Sequence, residues 1–160
     1  MVTLIDIILL SDFLNKKGIK FVLTGTAALS VHGLIPKGYD VGDIDILVSL
    51  TPDVETELKL IANLTGGNYD DYDGKSFAFY FGKKRIKVNA IAIKADEPTY
   101  IKMVINSIPV YDESNTLIKA TSLNLHTADE ILKAKFALNR NKDYAFCNNL
   151  IATLVSYFKK

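Results

Sequence analysis

Apolar positions recur along the chain at two spacings, and the switch from one to the other marks out its elements. Val2, Ile5, Ile8, Leu9 and Phe13 fall at helical intervals, and the pattern stops at "NKKG", where Gly18 stands at a position that favours glycine after a helix. "IKFVLTG" is a short, partly β-branched apolar run ending at Gly25, and "TAALSVHG" follows as a brief helix stopped by Gly33. A strand thus feeds a helix through Gly25 and Thr26. "IPKGYDVG" has loop composition, after which "DIDILVSL" predicts a strand with Asp43 and Asp45 at its first and third positions.

Thr51 as cap, Pro52 at the first helical position and acids in the first turn predict a helix over "TPDVETELKLIANL". "SFAFYF" and "RIKVNAIAI" flank Gly82, Lys83 and Lys84 as an antiparallel hairpin, and "SIPVYDESNTLIKA" suggests a smaller one. Thr127 with Glu130 forms a capping box ahead of "ADEILKAKFALNR", and Phe146, Leu150, Leu154 and Phe158 repeat every fourth residue through a last helix. No repeat, linker or low-complexity tract interrupts the series. The expectation is one domain over residues 1–160, of mixed α/β (α+β) class, with helices flanking a mostly antiparallel sheet.

Composition narrows the partners. The 160 residues are 49% apolar, enough for a sizeable core, and 19 Lys and Arg against 18 Asp and Glu leave a net charge of +1. No global pull toward nucleic acid or anionic lipid follows. Any basic surface must be local, and "GKKRIK" is read first as the solvated turn of a hairpin. A lone Cys147 excludes an internal disulfide and suits a packing thiol in a reducing compartment. The N-terminal apolar stretch is broken by Asp6 and Asp12 and lacks a basic leader region, and no run approaches a membrane span, so a cytoplasmic protein is expected.

The chemistry concentrates at two acids. Alternating strand side chains put Asp43 and Asp45 on one face while Ile44 and Ile46 point inward, so the carboxylates converge. Converging carboxylates repel unless a proton or cation sits between them, and hard oxygen donors suit Mg²⁺, which recruits substrate phosphates. The preceding turn offers the complementary half, because a helix beginning at Thr26 leaves backbone N–H groups for a phosphate that Gly25 lets approach closely. Each feature alone also has a plain structural account: Gly25 turns the chain, Thr26 caps a helix, and the acids begin an exposed strand. In this order together they point to phosphoryl transfer.

An apolar strand, Gly-Thr, an Ala-rich short helix ending "HG", then Asp-Ile-Asp on an apolar strand resembles the polymerase-β-type nucleotidyltransferase superfamily. The chain is most similar there to the small bacterial group around AbiEii-type toxins. "ILKAKFALNRNKDY" resembles that group's helix carrying Lys135, Arg140 and Asp143. The resemblance implies transfer of a nucleoside monophosphate from an NTP to a hydroxyl of an RNA or protein acceptor, and a possible antitoxin partner. It implies Mg²⁺ on Asp43 and Asp45, a triphosphate held by Gly25 and Thr26, Lys135 near phosphate, and Arg140 with Asp143 completing or bracing the pocket.

Two departures from that pattern bear on activity. Where active relatives carry a third carboxylate on a neighbouring strand, this chain has Asn89, on the face opposite Ile86, Val88 and Ala90. An amide can ligate Mg²⁺ through oxygen but cannot act as a base, a loss on the order of a hundredfold to ten-thousandfold in rate. A catalytically silent nucleotide-binding or protein-interaction relative is therefore the alternative. In the loop before the acids, Lys37 is the stand-in for the family's Arg, and Asp40 is an extra acid in a turn.

Other candidates carry structural readings. His32 is expected to cap or pack and His126 to be exposed, with no Ser or Cys spaced for a hydrolytic triad. Tyr69, Tyr72 and Tyr80 could stack a base, or serve as core edges.

Overall fold

A computed structural model describes residues 1–70, 75–93, 100–105, 109–118, 121–138 and 140–159. Helix α1 spans Leu4–Lys16, opened by a capping box in which Thr3 and Asp6 satisfy each other's backbone N–H groups. Strand β1 (Phe21–Thr24) runs directly into α2 (Gly25–Val31), and β2 (Ile44–Val48) follows the loop. Helix α3 (Pro52–Thr65) has Thr51 as its cap and closes on Gly66 in the left-handed conformation. The strands β3 (Asn68–Asp70), β4 (Ser76–Phe81), β5 (Ile86–Ala92), β6 (Tyr100–Ile105), β7 (Val110–Tyr111), β8 (Leu117–Ile118) and β9 (Thr121–His126) precede helices α4 (Ala128–Leu138) and α5 (Asn141–Phe158).

Seven strands form one sheet in the order β3-β4-β5-β2-β1-β9-β6, and β7 with β8 forms a separate ribbon. Pairings β3/β4, β4/β5, β2/β1 and β9/β6 are antiparallel, whereas β2/β5 and β1/β9 are parallel. The fold is therefore mixed α+β with a mostly antiparallel sheet and five helices among the described residues. Both hairpins expected from turn composition form, β4/β5 and β7/β8. Strands β3, β6 and β9 have no counterpart among the elements expected from sequence, and β9 lies inside the sheet, between β1 and β6.

Alternation sets the core face. Leu23, Ile44, Ile46, Val88, Ala90, Leu123 and Leu125 are buried and cluster with Ile7, Leu10 and Leu14 of α1, Leu29 of α2 and Leu58 of α3. Ile131 of α4 and Phe146 and Leu150 of α5 join the same cluster. Burial of Val, Leu or Ile side chains of this kind stabilises by about 1.5–3 kcal/mol each. Of the positions the helical spacing predicts, Val2 and Ile8 are buried while Ile5 is exposed, and Ile7, Leu10, Ser11 and Leu14 of α1 are buried as well. Ser11 is tolerated there because its hydroxyl donates to the Ile7 carbonyl at 2.7 Å.

The basic turn at 82–85 is tied down locally. Lys84 pairs with Asp6 at 2.9 Å, and Arg85 stacks on the Tyr80 ring at 4.7 Å while donating to the Thr65 carbonyl. Tyr80 is thus covered by a guanidinium, Tyr69 packs against Phe77, and Tyr72 lies outside the described residues. Cys147 is buried as a packing thiol, and burial pushes its pKa up. Among the described residues, no helix is long and apolar enough to cross a membrane.

Candidate functional site

The register of three adjacent strands assembles the site. Asp45 on β2 lies opposite Thr24 on β1 and beside Asn89 on β5, so their side chains emerge in one transverse row on the face opposite the core. Asp43 precedes β2 by one residue and is exposed, whereas Asp45 is half-buried. The expected convergence is present, and a neutral donor stands between the acids. Asn89 Nδ2 donates to Asp45 Oδ1 at 2.9 Å and to Asp43 Oδ2 at 3.3 Å.

That geometry leaves an electrostatic signature. Burial pushes the Asp45 pKa up, the Asn89 hydrogen bond opposes the shift, and the neighbouring Asp43 charge adds to it. Lys135 and Lys142 draw the same pKa downward through space, so cations from α4 and α5 are felt at the acid pair. Gly25 completes the wall. Its φ is +66°, and a Cβ built there would stand 2.8 Å from Asp45 Oδ2, so a side chain at 25 would occupy the room in front of that carboxylate.

Next to Gly25, a second cluster gathers Lys135, Arg140 and Asp143, which do not share one helix as the resemblance implied: Lys135 is on α4, Arg140 is the extended residue that opens α5, and Asp143 is in the first turn of α5. Lys135 Nζ donates to Thr26 Oγ1 at 3.1 Å, lies 3.9 Å from Asp143 Oδ1 and sits 4.6 Å above the Phe146 ring. Burial pushes the Lys135 pKa down, and Asp143 opposes that shift. Arg140 grips buried Asp143 with two bonds, Nε to Oδ2 at 2.6 Å and Nη2 to Oδ1 at 3.1 Å. These bonds hold the Asp143 carboxyl below the usual carboxylate range.

Asp43, Asp45, Asn89, Gly25, Thr26, Lys135, Arg140 and Asp143 therefore form two touching groups. Lys37 stands apart in its contacts: it is exposed, and its backbone N–H donates to Thr153 Oγ1 on α5 at 3.0 Å. Asp40 is exposed in the same loop.

His126 departs from expectation. Its side chain is only 12% exposed, because β9 is a strand that pairs in parallel with β1 and brings residue 126 beside Thr24. Nδ1 lies 2.8 Å from Thr24 Oγ1 and Nε2 lies 2.7 Å from Glu130 Oε2. Glu130, expected in a capping box with Thr127, thus turns a carboxylate oxygen to the imidazole. His32 packs as expected, its Nε2–H donating to the His126 carbonyl at 2.8 Å. The alternation of "TSLNLH" is the signal that could have revealed this strand, since Thr121, Leu123 and Leu125 point inward.

The donor set decides what the acid row can bind. Among the described residues, no three His, Cys, Asp or Glu side chains converge, so the site offers two carboxylates and one amide. Hard oxygens in that number suit Mg²⁺, which is held by one or two carboxylates and completes its shell with water and phosphate oxygens. Asn89 presents its NH₂ to the acids here, and half a turn about its amide plane would present the oxygen instead. Asp43, Asp45 and Asn89 thus fit that cation. No protein-family model matches the chain, and no curated protein or solved structure matches it.

Proposed function

We propose that the chain is a Mg²⁺-dependent nucleotidyltransferase-like protein of the polymerase-β type, moving a nucleoside monophosphate from an NTP to a hydroxyl of an RNA or protein acceptor. The observation that carries the reading is the convergence of Asp43 and Asp45 on Asn89 directly in front of Gly25. Asp43 and Asp45 would hold the ion. The bound cation would neutralise charge on the triphosphate and align the attacking and leaving oxygens.

The chain's own groups do the rest. Gly25 keeps the space before Asp45 open for a phosphate, and Thr26 beside it presents a hydroxyl already bonded to Lys135. Lys135 is partly desolvated and braced by Asp143 and Phe146, which holds its ammonium in place rather than free in water. Arg140 fixes Asp143 from the other side. Lys37 would reach the nucleotide from the exposed loop.

Asn89 favours a second reading, in which the chain binds nucleotide without turning it over, because an amide at that position cannot accept the acceptor's proton. One experiment separates the two. Thermal shift with each NTP, with and without Mg²⁺, reports binding by mass action, and transfer of label from α-³²P-labelled NTPs to RNA or protein reports turnover. Metal-dependent stabilisation with transfer, both lost in Asp45→Ala, supports the transferase. Stabilisation without transfer supports the silent relative, and no Mg²⁺-dependent shift with any NTP at millimolar concentration overturns both.

A further inference from the structure

The row that carries the acid pair continues past β1. Leu23 pairs in parallel with Leu125, so Thr24 and His126 are neighbours across strands, and Thr24 is in turn the partner of Asp45. Glu130 Oε2, the His126 ring and Thr24 Oγ1 form an unbroken chain with spacings of 2.7 and 2.8 Å. A carboxylate only accepts, so the imidazole hydrogen belongs on Nε2, and in the neutral ring Nδ1 keeps a lone pair for the Thr24 hydroxyl. The hydroxyl donates, the imidazole accepts, and the carboxylate fixes the tautomer. That is the nucleophile, base and orienting acid of covalent catalysis, reached with a threonine.

The placement favours chemistry over a simple clasp between strands. Thr24 retains partial exposure, and its strand partner is the carboxylate assigned to hold the metal and triphosphate. His32 anchors the backbone carbonyl of His126, while Thr24 and Glu130 hold the ring through its two nitrogens.

We propose that Thr24 is an activated acceptor hydroxyl and that the chain nucleotidylylates itself there, an inference that rests on the transferase reading. Thr24 Oγ1 forms a bond to the α-phosphorus of an NTP while the bond from that phosphorus to the bridging oxygen breaks, and pyrophosphate leaves with the electron pair. The hydroxyl proton passes to His126 Nδ1, and Glu130 stabilises the resulting imidazolium. The product carries a nucleoside monophosphate on β1 beside the acids, where it blocks entry of another nucleotide.

Two probes test this. The full chain is incubated with ATP, GTP, CTP or UTP and Mg²⁺, and intact mass with fragmentation of the tryptic peptide from Phe21 to Lys37 locates any adduct. Separately, the metal-free chain is treated with a fluorophosphonate, which labels an activated hydroxyl by forming an O–P bond and expelling fluoride. The expected result is one monophosphate on Thr24 and fluorophosphonate at the same atom. Both are lost in Thr24→Val and retained in Thr24→Ser. His126→Gln and Glu130→Gln slow labelling by about a hundredfold or more.

A thermal shift and transfer to other acceptors, with Thr24 unlabelled, overturns the self-modification and leaves the transferase standing. No nucleotide binding overturns both, even if fluorophosphonate marks Thr24. An adduct on another residue, or labelling that survives in Thr24→Val, also overturns the proposal.

Discussion

Replacing Asn89 by Asp probes the site most directly, because Asn89 supplies a neutral donor shared by the two acids. The substitution removes the Nδ2 donations to Asp45 at 2.9 Å and to Asp43 at 3.3 Å and puts a third negative charge in their place. A lost hydrogen bond to a charged group costs about 1.5–3 kcal/mol, and two full charges at such separations would repel by about 5–6 kcal/mol at an effective dielectric near 20. Proton uptake and the exposure of Asp43 to water cap that repulsion. The net loss expected without metal at neutral pH is about 2–4 kcal/mol, or about 5–15 °C in Tm for a domain of this size.

The pH dependence has a defined sign. Asp45 already titrates above its ordinary value of 3.8, so the folded state binds that proton more tightly than the unfolded chain. Its stability penalty is absent below 3.8 and grows as pH rises through the elevated value. Asn89→Asp deepens the same penalty, so the gap between variant and wild type widens with rising pH and narrows toward pH 3.8. Urea unfolding in EDTA and in millimolar Mg²⁺ measures it, with the cation expected to restore most of the loss. Equal or greater stability of the variant in EDTA at neutral pH would refute the account of the acid pair. If the proposed transfer is limited by a missing base, the variant also gains about a hundredfold or more in rate.

Gly25→Ala places a Cβ 2.8 Å from Asp45 Oδ2 at a φ of +66°, and backbone strain alone costs about 1–2 kcal/mol, so urea denaturation should show at least that loss. Asp45→Asn removes a half-buried charge and its repulsion with Asp43; metal-free stability at neutral pH should hold or rise by about 1 kcal/mol while Mg²⁺-dependent nucleotide binding vanishes, a split that a purely structural Asp45 would not produce. Arg140→Gln should lower Tm at neutral pH. Arg140 holds the Asp143 pKa down, so its contribution is present above pH 3.8 and disappears as pH falls through the depressed value, and melting curves across that range should converge.

What could be read from the sequence was local chemistry. Thr51 and Pro52 announce α3, Gly82 announces the β4/β5 hairpin, and Asp43 and Asp45 share a face by simple alternation. Asn89 could be assigned to the opposite face from Val88, but its role as a bridging donor depends on the parallel register of β2 with β5, which no local pattern encodes. β9 was hidden by its composition, since Thr121, Ser122, Asn124 and His126 make half of it or more polar although the buried positions alternate. The burial of His126 depends on that strand, and its partnership with Thr24 spans 102 residues. Around α1 the spacing placed Val2 and Ile8 inside correctly but also Ile5, which is exposed beside Asp6 with its bonds to Thr3 and Lys84.

The parallel seam between β1 and β9 also orders events in time. During synthesis the acids of β2 and the glycine of α2 leave the ribosome long before the last sheet strand exists, and parallel pairing over such sequence separation is intrinsically slow. Until β9 docks, Thr24 has no imidazole beside it, and until α4 follows, Thr26 has no ammonium from Lys135. A nascent or partly unfolded copy can display the carboxylates but cannot arm the hydroxyl, so competence to react is itself a report that the sheet has closed.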